Sequence, residues 1–150
     1  MLAIDPGKSG GIVIGLPGQA VTGFHMPETC GELLRKLELA IASGANTAYM
    51  EDIIFYNGID RPGSSMVKYG MMWGRVEGML HALKTIRIVL VHPKKWQGAL
   101  GIVKKKGTPQ PEWKNQLKAE AEKLFPDIKV TLAIADALLI LEAARRGALG

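Results

Sequence analysis

The sequence predicts an α/β domain with a mixed sheet of about five strands, three antiparallel and then parallel, flanked by helices. Three observations carry this. Short β-branched runs near the start are separated by Pro-Gly and Gly-rich turns, which favours hairpins. Two later apolar runs alternate with segments of helical period, as a layered α/β sheet requires. The last third is amphipathic or apolar at helical spacing. With 150 residues, 47% hydrophobic and 22% charged, residues 1–150 form one domain with a sizeable core.

Strand one runs to Asp5 and ends in AIDPGKSGG, residues 3–11. Gly7-Lys8-Ser9 looks like the end of a phosphate-binding loop, but Leu2 stands where that loop needs Gly. A strand, GIVIG over residues 11–15, follows where the loop needs a helix. The run is therefore a hairpin turned by Pro6-Gly7. Asp5 stands at the open strand end or simply starts the turn. Residues 19–26 make a third strand. Residues 32–43 make a helix with Leu33, Leu34, Leu37 and Ile41 on one face, closed by Gly44. Residues 46–51 form a fourth strand, again ending in an acid, Glu51. A turn-rich loop spans 57–65. Residues 64–83 read as a long helix with an apolar seam of Met66, Tyr69, Trp73, Val76, Leu80 and Leu83. Gly70, Gly74 and Gly78 add a stripe at spacing four. Three interior glycines cost roughly 2–3 kcal/mol against alanine, so close packing should compensate. Residues 85–91, TIRIVLV, read as a fifth strand, central or well covered. A short basic helix or turn at 94–100, an exposed loop at 101–111, an amphipathic helix at 112–125 and a last helix at 132–146, N-capped by Thr131, complete the chain.

No run approaches the ~20 apolar residues of a membrane helix. The acid at position 5 does not suit a secretion signal. Cys30 is the single cysteine, which excludes an internal disulfide or a multi-cysteine zinc site and fits the reducing cytoplasm. Charge is unevenly spread. Residues 61–118 carry 12 Lys and Arg against 2 Asp and Glu, whereas residues 1–60 carry 3 against 7. A basic block of this kind suits a polyanion, nucleic acid first, and Trp96 and Trp113 within it suit stacking.

If strands one and four are adjacent and parallel, Asp5 and Glu51 share one sheet end, where open α/β sheets bind ligands. Asp136 interrupts an apolar run on the last helix and needs a partner there, or the helix dipole. Three converging carboxylates need a cation, and hard oxygen donors suit Mg²⁺ or Mn²⁺. Two such ions would activate a water and stabilise a leaving oxygen, as in phosphodiester hydrolysis.

The run AIDPGKSGGI, the acid-ended strand YMED, GSSMVKYGMMWGRVEGML, VHPKKWQGALGI and ADALLILEAARRG together resemble the RuvC-type Holliday junction resolvases, nearest the short phage branch. The resemblance covers most of the chain in order. It implies a ribonuclease H-like fold and a homodimeric, Mg²⁺-dependent endonuclease that cuts branched DNA in the cytoplasm, the host's if phage-encoded. Asp5, Glu51 and Asp136 match the family's metal-binding catalytic acids. The glycine-striped helix looks like its dimer-forming helix, giving Gly70, Trp73, Gly74 and Gly78 a subunit contact. Lys8, Lys94, Lys95, Trp96, Lys104, Lys105 and Lys106 are the expected DNA contacts. One departure is Ala133, which stands where the family usually has a fourth acidic or His group. A nuclease for flaps, forks or RNA–DNA hybrids, and a weakened junction-binding protein, are the alternative readings.

Overall fold

The computed structural model describes residues 1–52 and 63–150. Its strands are β1 (Leu2–Asp5), β2 (Gly11–Ile14), β3 (Thr22–His25), β4 (Thr47–Glu51) and β5 (Arg87–Val91). Its helices are α1 (Cys30–Ala42), α2 (Gly63–Leu83), α3 (Pro93–Ala99), α4 (Gln110–Leu124) and α5 (Leu132–Arg145). The predicted 57–65 loop lies outside the described residues up to 62, and α2 has begun by Gly63.

The five strands form one sheet in the order β3-β2-β1-β4-β5. β1 to β3 are antiparallel, while β4 joins β1 and β5 in parallel. The mixed architecture predicted from the sequence is therefore present. β5 is an edge strand rather than a central one. Its apolar sequence follows from packing on both faces, with Ile88 against one core cluster and Val89 against the other.

The period of two sorts the β1 side chains cleanly. Leu2 and Ile4 join Ala48 and Met50 in the cluster beneath α1 and α2. Ala3 joins the cluster built on α5. Asp5 and Glu51, each two residues beyond Ala3 and Tyr49, therefore point toward the α5 side. The β1–β4 register pairs Ile4 with Met50, which makes Asp5 and Glu51 the next rung.

α1 starts with a reciprocal cap: Glu32 N–H donates to Thr29 Oγ1, and Thr29 Oγ1 donates to Glu32 Oε2. Gly44 ends the helix region at φ +105°, a conformation that suits glycine. α5 is the central helix, with eleven of its fourteen residues buried. Leu138, Leu139, Ile140 and Leu141 are fully buried, each contributing about 1.5–3 kcal/mol. Thr131 stands at the N-cap of α5 as expected, but its hydroxyl makes no capping hydrogen bond.

In α2 the buried seam is Met72, Val76 and Leu80, with Trp73 half-buried beside it. A Cβ added at Gly70, Gly74 or Gly78 meets no atom within 4 Å. Close approach within the described chain therefore does not explain these glycines; they form part of the outward face.

Candidate active site

Asp5, Glu51 and Asp136 all line one cleft of about 510 Å³ at the C-terminal end of β1 and β4. All three are buried, and among the described residues Asp52, beside Glu51, is the only other buried charged side chain. The β1–β2 turn holds Asp5 in place, since the Gly7 N–H donates to Asp5 Oδ1 at 3.1 Å. The turn also needs its glycines. A Cβ at Gly10 would stand 2.2 Å from the Asp5 carbonyl oxygen, and one at Gly11 would stand 2.7 Å from the Phe24 oxygen. Glu51 is held by two indoles. Trp96 Nε1 donates to Glu51 Oε1 at 3.3 Å, and Trp73 Nε1 donates to the Glu51 carbonyl at 3.1 Å. Asp136 is presented by the rigid core helix, with Oδ2 2.5 Å from Lys114 Nζ on α4. Its Oδ1 is buried without a hydrogen-bond partner.

The electrostatics follow from this crowding. Burial, then the Asp136 charge, push the Asp5 carboxyl up to about 6, against the opposing pull of Lys114 and the Gly7 N–H. Burial, then Asp5 and Asp136, hold Glu51 well above the usual carboxylate range. Burial alone would lower the Lys114 ammonium, but Asp136, Asp5 and Glu51 outweigh it and raise it. Lys114 is therefore a permanent cation at neutral pH. Among the described residues no three acidic or imidazole groups stand ready as a metal cage. The Lys114 ammonium lies among the carboxylates instead. Even so, three crowded carboxylates with one unpartnered buried oxygen form a hard donor set suited to a divalent ion.

The expected DNA-contact residues spread beyond the cleft. Lys8 lines the cleft, while Lys94, Lys104, Lys105 and Lys106 are exposed outside it. Lys95 donates from Nζ to the Leu149 carbonyl and so ties down the C-terminal tail. Trp96 is fully buried and Trp113 only 5% exposed, so neither offers a face for base stacking. The helix-period sequence buries these indoles and leaves Lys94 and Lys95 exposed, while Lys114 turns into the cleft. Trp73, expected at a subunit contact, is engaged inward with β4. His92 caps α3, its Nδ1 accepting the Lys94 N–H at 3.2 Å. Ala133 is buried beside Gly11, its carbonyl 2.8 Å from where a Gly11 Cβ would stand. The residue facing the cleft one turn before Asp136 is Leu132. Lys68, Tyr69, Gln97, Gln110 and Lys114 also line the cleft and escaped the sequence reading. Lys114 had one available signal: it follows the first residue of the buried stripe Trp113, Leu117 and Ala121, and so flanks it.

No protein-family model matches the chain, and no curated protein matches it by sequence. Solved structures do. The Thermus thermophilus RuvC structure superposes with a TM-score of 0.58 at 19% identity, covering 98% of this chain and 96% of that one. T. thermophilus RuvC in complex with Holliday junction substrate gives 0.60 at 17% identity, covering 97% and 94%. The mixed sheet with its flanking helices thus defines a ribonuclease H-like fold. Within that class, the fold is that of the RuvC-type resolvases.

Proposed function

We propose that this chain is a metal-dependent endonuclease that hydrolyses phosphodiester bonds in branched DNA such as Holliday junctions. The carrying observation is the convergence of Asp5, Glu51 and Asp136 in one cleft at the sheet end. The fold shared with a protein solved on a Holliday junction substrate supports the substrate class.

Mg²⁺ or Mn²⁺ held by Asp5, Glu51 and Asp136 would supply an activated water and stabilise the leaving oxygen. The chain's own groups do the rest. The Gly7 N–H and the Trp96 indole fix the two strand acids, so no reorganisation is needed when substrate binds. Lys114 offsets part of the carboxylate repulsion and presents a fixed positive charge where the phosphate gains negative charge. Lys8 and Lys68 line the cleft and can hold neighbouring phosphates. The exposed Lys94 and Lys104 to Lys106 add salt-sensitive attraction at longer range. The outward face of α2, with exposed Val67 beside Gly70, Gly74 and Gly78, contacts a second copy of the chain. A two-fold dimer supplies two sites for two symmetric cuts.

The test is cleavage of a synthetic four-way junction, with linear duplex and flap controls, in Mg²⁺ or Mn²⁺ against EDTA. Paired symmetric nicks that need metal and vanish in Asp5→Asn are expected. Equal cutting of flaps would broaden the substrate class. Tight junction binding without cutting would leave a binding protein.

A further inference from the structure

A second concavity lies beside the cleft, between the N-terminal halves of α1 and α2 and the end of β3. It measures about 1360 Å³, and Lys8 and Lys68 line both cavities, so the two adjoin. Its rim is basic: Lys8, Lys68, Arg75 and Arg35 are exposed, and Lys36 lies over the Phe24 ring at 3.8 Å. Among the described residues none of these five cations is paired with a carboxylate, and only Glu28 and Glu32 line the groove on the acidic side. Glu32 is already committed to the α1 cap. The floor, in contrast, is apolar, built from Phe24, Met26, Met71, Met72 and Leu39. Met71 and Leu39 are 56% and 52% exposed, although they line a concave surface.

We propose that this groove binds an unpaired DNA strand that runs on from the active-site cleft. The proposal rests on the nuclease reading above and extends it to the path of the substrate. Charge complementarity and the shared border with the cleft point to nucleic acid. The apolar floor selects the unpaired form. A duplex shows only its phosphate ridges to a groove, and phosphates against methionine and leucine lose their hydration without a partner. An unpaired strand turns its bases and sugars toward the floor and its phosphates toward the basic rim, satisfying both surfaces. Branched DNA offers such a strand wherever base pairs open beside the branch point. Methionine suits the task, because its flexible, polarisable side chain adapts to any base. The groove therefore reads no sequence.

The test needs no cleavage. Fluorescence anisotropy in EDTA would follow a labelled twelve-nucleotide oligothymidylate and a labelled twelve-base-pair duplex. The proteins would be wild type, Arg35→Ala/Arg75→Ala and Met71→Asp, each checked for unchanged thermal unfolding. The double variant should lose about tenfold or more in affinity for the single strand. Its slope of log affinity against log salt should fall by about 1.4, two contacts at about 0.7 each. Met71→Asp should also weaken the single strand, and the duplex should be much less affected by either. Unchanged single-strand binding, equal loss for duplex and single strand, or a change of oligomeric state in the double variant would each overturn the proposal. Junction cleavage by wild-type protein is read separately, so a failed groove and a failed nuclease remain distinguishable.

Discussion

Asp5 shows how burial and charge set a residue's behaviour. Its carboxyl is pushed up to about 6, so the folded protein without metal holds this proton more tightly than the unfolded chain does. Stability from the protonated form is complete below about pH 4, the unfolded value, and is lost as pH rises toward the folded one. Asp5→Asn should therefore match wild type near pH 4 in EDTA and exceed it by about 2–3 kcal/mol at neutral pH, as read by denaturant unfolding. Divalent metal should reverse the ranking, because only the ionised pocket binds it, and wild-type metal affinity should climb across the same window. Lys114 acts in the opposite sense. Lys114→Met would leave Asp136 buried without its ion pair and should destabilise by about 1–3 kcal/mol, the side chain being partly solvated. Junction cleavage should fall by about 10²-fold or more, with Lys114→Arg partly restoring it. The three acids were legible in the sequence because each breaks an apolar pattern at a strand end or on a helix. Lys114 was marked only by its place beside an amphipathic stripe, and that signal gives no role until the opposite helix is in view.

At the level of elements, the first hairpin and the parallel β1–β4 pair carry the site. Gly10 faces the Asp5 backbone so closely that Gly10→Ala must displace the strand end. It should destabilise the domain by about 3 kcal/mol, measured by urea unfolding, and cut cleavage more than its stability loss alone explains. Element order and helix positions were readable from turn residues and periodicity, with ends shifted by a few residues, while the β1–β4 pairing could be stated only as a condition. What could not be read was which side of a short helix faces inward. In α3 the alternatives were two lysines and one tryptophan, and the core beneath β5 and α5 took the indole. The same choice turned Trp73 toward Glu51. A stacking residue and a core residue have the same composition signal, and only the packed neighbours separate them. The edge position of β5 was hidden for a related reason, since helices on both faces give an edge strand the apolar sequence of a central one.

For the whole molecule, α2 divides its surface between three tasks: a seam of Met72, Val76 and Leu80 toward the core, Lys68 and Arg75 toward the groove, and Gly70, Gly74 and Gly78 outward. If the outward stripe joins two copies, Gly74→Glu should convert dimer to monomer in sedimentation, weakening association by about 100-fold or more through paired like charges at close approach. Nicks should then lose their pairing while single cuts persist. The burial of α5 has a kinetic consequence of its own. This helix touches β1, β2, β3, β4, α3 and α4, so it has no way to loosen alone. Its amides should exchange with deuterated solvent only through complete unfolding, at the slowest rate in the chain, while the exposed 103–107 segment exchanges early. Asp136 rides on that slow helix, whereas Lys114 comes from the helix that follows the fast segment. The carboxylate is thus a fixed post, and the ammonium opposite it reaches in from the neighbouring helix.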